Sequence, residues 1–347
     1  MTPASTDPLP GPLRHGAPVH VAPMAGGPSC PELVVAAARA GHVAHLAAGY
    51  RTAARMAEEV ERVRAAGVEE FGVNLFVPNP HRISRADYDA YAESLRPTAD
   101  RLGLTEPWPE PREDDDDWDA KVAALLERPV PVVSFTFGLP DPAVVAALRA
   151  AGSVTLQTVT DPDEARRAEA AGVDALVVQG AGAGGHSGVW EPGRLPEDRP
   201  LPDLVRLVRT ATGLPLVAAG GVATRDDVRA ALSAGAGAVA VGTAVLRATE
   251  SGASPVHQEA LADPAFDGTR LTRAFTGRPA RALVNRFVRD HDAGAPSGYP
   301  ALHHLTRPLR SAATAAGDPS AVHLWAGRGW RSARRAPVAD ILAGLVP

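Results

Sequence analysis

Cysteine is nearly absent from this 347-residue chain: Cys30 stands alone. A single thiol builds neither an internal disulfide framework nor a cysteine-based metal cluster, and it fits a reducing compartment. Long apolar runs are missing as well; stretches such as 238–246 fall far short of the roughly 20 residues that a membrane-spanning helix needs. Positive charge is not in excess, since the formal net charge is −5 and no basic stripe interleaves with aromatic residues, which argues against a nucleic-acid binder. The N-terminal stretch carries Pro3, Pro8, Pro10 and Pro12 without a basic cluster leading into an apolar core, so it reads as a frayed tail and not as a signal peptide. No His-Glu-x-x-His and no carboxylate triad is visible, and no metal site is expected. These absences predict a cytoplasmic protein whose partner is a small molecule and neither a membrane nor a nucleic acid; a monomer or homodimer is expected, with no sequence feature that chooses between them.

What is present is a rhythm. From about residue 19, short apolar stretches alternate with Ala-, Arg- and Glu-rich helical ones, as in repeated βα units. Strands are expected at Val19–Ala22, Val43–Ala47, Phe71–Leu75, Val132–Phe135, Val154–Thr158, Ala175–Val178, Leu216–Ala219 and Ala238–Val241. Helix signals sit between them: Asp161 with Glu164 and Thr224 with Asp227 are starts, and the recurring Ala-Gly pairs at 66–67, 171–172 and 234–235 are stops. Eight such units predict an α/β fold, a (β/α)8 TIM barrel with a small, mainly helical insert or lid, and place the chemistry on the loops after the strands. The barrel is expected over 17–77 and 130–250. Residues 78–129 form an insert covering its mouth, and 251–347 a C-terminal helical and loop segment completing the pocket. The acidic run Glu113–Asp117 in the insert reads as a solvated helix start.

Three glycine-rich stretches carry the chemical signal. Gln179-Gly-Ala-Gly-Ala-Gly-Gly-His-Ser-Gly188 follows the sixth strand; glycine there permits positive φ or close approach of a ligand, and a histidine in such a loop can reach a reactive atom. A flexible loop with a surface histidine is the plainer alternative. Ala218-Ala-Gly-Gly-Val-Ala-Thr224 follows the seventh strand and Val241-Gly-Thr-Ala244 the eighth, each before a helix. Those are the two barrel loops that commonly grip a phosphate. Tight turns would explain one of them well, but two adjacent ones less well. Because the long glycine run follows the sixth strand and not the first, FMN fits better than a tightly bound NAD. Backbone contacts from Ala22, Pro23 and Met24 and a polar partner such as Asn74, at the end of the third strand, suit a ring lying across the mouth.

In this order the stretches resemble the nitronate monooxygenases, from about Val21 to Gly329: Ala22-Pro-Met-Ala-Gly-Gly27 with Pro31-Glu-Leu33, Gly72-Val-Asn-Leu75, Gln179-Gly to Gly184-Gly-His186, Ala219-Gly-Gly221 and Gly242-Thr243. Tyr299-Pro-x-x-His-x-Leu-Thr306 and Leu324-Trp-Ala-Gly327 resemble a tail specific to that family. The resemblance implies that Met24, Asn74 and Gln179 contact the flavin, that Gly184 borders it, that Gly220, Gly221, Gly242 and Thr243 hold its phosphate, and that His186 is catalytic. It implies oxidation of alkyl nitronates such as propionate 3-nitronate, with O2, to a carbonyl compound and nitrite. There His186 would supply a hydrogen bond or positive charge to the nitro oxygens, or act as base toward a neutral nitroalkane. Thr136, Ser187, Tyr299 and His303 are candidates for the substrate pocket. The chain departs from the family pattern at Gly182, where Glu is usual, at Thr136, where many members carry His, and at His303 and Arg328, where Asn and Gln are common. His42 and His45 are candidate pocket groups, but satisfied or exposed histidines are the plainer reading. An FMN-dependent enoyl-acyl-carrier-protein reductase, an NAD(P)H:quinone reductase and a silent flavin-binding protein are the competing readings.

Overall fold

Each expected strand pairs with its neighbours in parallel, because each is a short run of small and β-branched residues too brief for a helix and bounded by glycine or polar residues. The computed structural model describes residues 8–347 except 15, 79 and 80, so Pro3 of the expected tail lies outside the described residues. The strands in chain order are β1 (Val19–Val21), β2 (His45–Ala47), β3 (Gly72–Phe76), β4 (Val132–Thr136), β5 (Val154–Val159), β6 (Ala175–Gln179), β7 (Gly185–His186), β8 (Leu216–Ala219), β9 (Ala238–Val241), β10 (Thr269–Thr272) and β11 (Ala280–Leu283). Eight of them form one parallel sheet in the order β1-β9-β8-β6-β5-β4-β3-β2. A bridge between Val21 and Ala44 closes the circle, with the Val21 N–H donating to Val43 O at 2.8 Å. The chain is thus a (β/α)8 barrel.

The period of two along each strand divides its side chains between two environments. Val73, Leu75, Val133, Phe135 and Val178 point outward and are buried under the helices in the main core cluster. Their alternates point inward: Asn74 and Phe76, Ser134 and Thr136, Leu156 and Thr158, Val177 and Gln179 all line one cavity at the barrel mouth. Each outward Val or Leu removed from water contributes about 1.5–3 kcal/mol relative to an exposed one. The helix starts follow the expected chemistry. Asp161 accepts from Glu164 N at 2.8 Å, and Thr224 and Asp227 form a reciprocal capping box on the helix Arg225–Ser233. The Ala-Gly stops place Gly67, Gly172 and Gly235 at positive φ.

Two expectations are corrected. Residues 8–13 are no frayed tail: Gly11–Leu13 is a 3-10 turn, and Leu9 and Leu13 plug the barrel floor against Val43, Val132, Leu156, Ala175, Val217 and Ala238. The proline-rich composition hid two apolar anchors. The acidic run is likewise no solvated helix start. Asp116 Oδ1 accepts from Tyr50 N at 2.8 Å, Asp117 Oδ2 from Ala53 N at 2.7 Å, and Asp116 Oδ2 lies 2.7 Å from the ammonium of Lys121, the only lysine in the sequence, which is buried. Backbone N–H groups at the start of the Ala53–Ala65 helix are what the carboxylates satisfy.

A second apolar cluster lies apart from the barrel core. The helices Arg85–Ser94 and Arg96–Arg101 supply Tyr88, Tyr91 and Leu95 to it, and the segment beyond β9 supplies Phe275, Phe287, Leu302 and Leu305. Tyr91 Oη donates to Ala274 O at 2.5 Å, and Thr98 Oγ1 meets His291 Nε2 at 2.8 Å across this joint. A three-stranded sheet, β10-β11-β7, ties the same unit to the glycine loop after β6. The helix Trp118–Glu127 packs between the barrel helices Ala53–Ala65 and Pro142–Ala150. No helix among the described residues is long and apolar enough to cross a membrane.

Candidate active site

The inward-facing strand ends and the second apolar unit enclose a cavity of about 1200 Å³. Seven of the eleven histidines of the sequence line it: His20, His45, His186, His257, His303, His304 and His323. Burial disfavours the charged imidazole, and His20 is lowered to about 3, His45 and His257 to about 4. These three cavity imidazoles are therefore neutral. His42 is not among them; its Nδ1 is satisfied by Val19 O at 2.8 Å. His45, expected to be a bystander, faces the cavity with Nδ1 3.4 Å from Val21 O.

Backbone is laid bare on one side of the cavity. Gly220 has φ +112°, and a Cβ there would stand 2.7 Å from Gly180 O; a Cβ on Gly184 would stand 2.5 Å from Gly327 N. Neither position admits a side chain, so the loops after β6 and β8 and the stretch near Gly327 pack backbone against backbone. Gly221, Gly242 and Thr243 complete this wall, and Thr243 Oγ1 accepts from Gly327 N at 2.9 Å. A hydroxyl and bare amides at successive strand ends suit an anionic oxygen-rich group. Ala22, Pro23 and Met24 lie on the first loop of the same rim, fixed by Ser29 Oγ accepting from Met24 N at 2.8 Å.

Asn74 is almost fully buried on β3, and its Oδ1 accepts from Ser134 Oγ at 2.9 Å and Thr136 Oγ1 at 3.0 Å. Its amide nitrogen is left as the donor end toward the cavity. Gln179 is engaged differently: Oε1 accepts from Gly188 N at 2.6 Å and Nε2 donates to His186 O at 3.4 Å, so its amide clasps the histidine loop.

His186 sits on β7, paired with Ala280 of β11, which holds the ring over the cavity. Its Nε2 is 2.9 Å from Thr276 Oγ1, and that hydroxyl lies 3.4 Å from Arg278 O. A hydroxyl has one proton to give. Two arrangements satisfy it: the hydroxyl donates to the carbonyl and accepts from Nε2–H, leaving the Nδ1 lone pair open, or it donates to Nε2 and leaves Nδ1–H as a donor; in both, Nδ1 has no hydrogen-bond partner among the described residues. Burial, then Arg278, then Arg310 lower the imidazole to about 3. In the free protein the ring is thus held toward its neutral form, which offers a lone pair or a hydrogen bond. Phe137, Tyr299 and Trp325 surround it at ring-centroid distances of 5.5, 5.9 and 5.2 Å.

Thr136 and His303 face the cavity, His303 stacked on Tyr50 at 4.1 Å. Ser187 and Tyr299 do not: both are buried one layer behind its surface, because β7 turns Ser187 toward Pro279, whose carbonyl takes its N–H at 2.7 Å, and Tyr299 packs edge-on to Phe137. Sequence reasoning missed the cationic side chain of Arg310. It lines the cavity, nearly fully buried, and bonds only to Thr306 Oγ1, His303 O and His303 Nδ1. No carboxylate pairs with it among the described residues. Phe76, Phe137, Tyr50 and Thr276 were missed too; Tyr50 and Phe137 have positive φ, as do Asp116 and Asp117, and all four line the cavity.

The nitronate monooxygenase family profile matches residues 14–347, and a nitronate monooxygenase of Pseudomonas aeruginosa is 38% identical over 340 residues, 95% of either chain. The chain belongs to the nitronate monooxygenase family. It is accordingly an oxidoreductase. Among solved structures, a nitroalkane oxidase from Streptomyces ansochromogenes superposes with a TM-score of 0.90 at 47% identity, covering 96% of each chain. FabK from Thermotoga maritima superposes with a TM-score of 0.73 at 25% identity, covering 96% of this chain and 93% of its own.

Set within the family, the departures of this chain separate by position. Thr136 and His303 alter the cavity lining. Arg328 does not, since its guanidinium reaches outward to Asp198 at 2.6 Å while its N–H donates to Gly182 O at 3.0 Å. Gly182 lies beside Gly221, where a Cβ would come within 3.4 Å of Gly221 Cα, an ordinary contact, so nothing at this position explains the glycine.

Proposed function

We propose that the protein oxidises alkyl nitronates, with FMN as its redox cofactor and O2 as co-substrate, releasing a carbonyl compound and nitrite. The residues present fit FMN. Backbone left bare at Gly184 and Gly220, the positive φ of Gly221, and the Thr243 hydroxyl suit a phosphate, while the Asn74 amide and the first loop, Ala22 to Met24, suit an oxygen- and nitrogen-rich ring edge. When bound, FMN supplies the electron acceptor that a nitronate needs and that no side chain of the site provides.

The observation that carries the reading is the juxtaposition at His186: a neutral imidazole whose Nδ1 is left without a partner faces a cavity that also holds Arg310, a guanidinium without a carboxylate partner among the described residues. A nitronate arrives as an anion. Arg310 offers it charge and Thr276 holds the ring so that the imidazole neither donates a proton to its carbon nor turns away. Should a neutral nitroalkane enter, Nδ1 is placed to take the α-proton: the C–H bond breaks, its electron pair forms the C=N bond, the N=O π pair passes to the nitro oxygen, and the proton stays on the ring. Phe76, Phe137 and Trp325 keep the surroundings apolar, which strengthens both interactions.

The test is an anaerobic titration of the FMN-loaded protein with propionate 3-nitronate, followed by flavin absorbance. Stoichiometric bleaching by the nitronate, with little bleaching by NADH, supports the reading. Rapid reduction by NADH alone overturns it in favour of a reductase, and a yellow protein inert to both overturns it in favour of a binding role.

A further inference from the structure

Arg278 is the largest side chain with no exposed surface. Its Nη2 donates to the carbonyls of Val189 and Phe137, whereas Nε and Nη1 have no hydrogen-bond partner among the described residues. No carboxylate pairs with it among the described residues; Glu164 and Glu191 act only from a distance. Its guanidinium lies 4.0 Å from the Phe137 ring centroid and 5.9 Å from that of Tyr299. Both rings also contact His186. An interior cation without a counter-ion is unfavourable for folding alone, so its retention beside the reactive imidazole calls for a chemical reason.

We propose that Arg278 is a specificity-determining residue: a permanent positive charge fixed one aromatic layer behind the reaction site, out of a ligand's reach, which makes the site favour an anion over its neutral conjugate acid. Arg278 does not line the cavity, so no substrate or product can pair with it and cancel its field. Arg310 differs in this respect, because it lies at the surface where a bound anion neutralises it. The other groups facing His186 are His303 on the helix Ala301–Ala315, Tyr299 just before that helix and His323 on the C-terminal segment, with Tyr50 after β2 stacked behind His303, and none of them brings a negative charge. Burial leaves His303 and His323 neutral and keeps both tyrosines protonated. Arg278 is thus the one cation whose influence persists while a ligand is bound. It opposes protonation of His186 and, through it, of a nitronate carbon; the preference for nitronate over nitroalkane rests on the proposed function, while the effect on His186 does not.

The experiment follows the His186 ring of the full-length protein by 15N NMR against pH, in concentrated sucrose to hold the fold together below pH 5, assigned with His186→Asn, in the wild type, Arg278→Met and Arg278→Lys. The wild-type ring is expected to be unprotonated at pH 5.5. In Arg278→Met the midpoint should rise by about one unit, a tenfold gain in proton affinity, and Arg278→Lys should keep it near the wild-type position. A parallel assay should show the ratio of kcat/KM for nitronate over nitroalkane falling about tenfold in Arg278→Met and recovering in Arg278→Lys. A wild-type ring already protonated at pH 6.5, or identical midpoints in wild type and Arg278→Met, overturns the proposal. If Arg278→Met does not fold, Arg278→Lys decides: an upward shift of a full unit with the charge retained refutes it, and an unmoved midpoint supports it. The ring titration needs no nitronate, so a failure of the proposed reaction leaves this result standing.

Discussion

Acid should open this protein sharply between pH 7 and pH 5, and the histidines set the size of the effect. His20, His45, His186 and His257 titrate at about 3 to 4 in the fold, against 6.5 when free. Their folded values lie below the unfolded one, so the unfolded chain binds more protons as pH falls through 6.5, and stability declines from there toward the folded values. At pH 5 each contributes a loss of about 2 kcal/mol relative to pH 7, and the four together about 7 kcal/mol, taking 1.36 kcal/mol per unit. Asp116, raised to about 6 by burial, works in the opposite direction and returns about 1 kcal/mol over the same interval. The net figure is comparable to the entire stability of a typical domain, about 5–15 kcal/mol. Urea unfolding followed by far-UV circular dichroism at pH 7, 6 and 5 measures it. His257→Gln supplies the internal check: His257 Nε2 lies 2.9 Å from Trp325 O, a bond an amide can replace, so this variant should lose about 2 kcal/mol less than wild type over the interval. Equal stability at pH 7 and pH 5, or the same pH slope in His257→Gln, would refute the reasoning.

Other outcomes follow from single positions. Gly220→Ala must place a Cβ against Gly180 O at positive φ, which should cost about 2–5 kcal/mol from strain and overpacking, with a lower Tm and weaker FMN retention on gel filtration. Thr276→Val removes the oxygen beside His186 Nε2 and should lower kcat for nitronate by about 10–100-fold on the general acid–base scale, with Thr276→Ser recovering most of it in the same steady-state assay. Leu13→Ala empties the barrel floor and should destabilise by about 2–5 kcal/mol in urea titration; a neutral result there would restore the frayed-tail view.

The barrel was legible because its information is local. A two-residue period, a strand-ending glycine and a capping carboxylate all lie within a few positions of what they control, and all eight strands could be located from them. Much of the cavity was not legible, for the opposite reason. Arg278, Arg310, Tyr50 and Phe137 meet across more than two hundred positions, and nothing near any of them in sequence marks a charge without a partner. The acidic run misled because its satisfaction comes from Tyr50 N and Ala53 N, over sixty residues upstream. Ser187 and Tyr299 misled because a two-residue strand and a turn decide which of two adjacent side chains faces inward, and neither leaves a periodic trace.

The second apolar cluster joins two stretches of chain separated by most of the barrel. During synthesis the helix 85–94 and the turn after it emerge long before their partners at 274–313, so Tyr88, Tyr91 and Leu95 wait uncovered while the strands between are still being made. The barrel waits too, because Val338, Ile341 and Leu342 of the last helix complete its core, and until then the emerging chain carries an open, greasy shoulder. Shielding of that shoulder, by holdase binding or by rapid arrival of the final third, governs how much chain escapes aggregation.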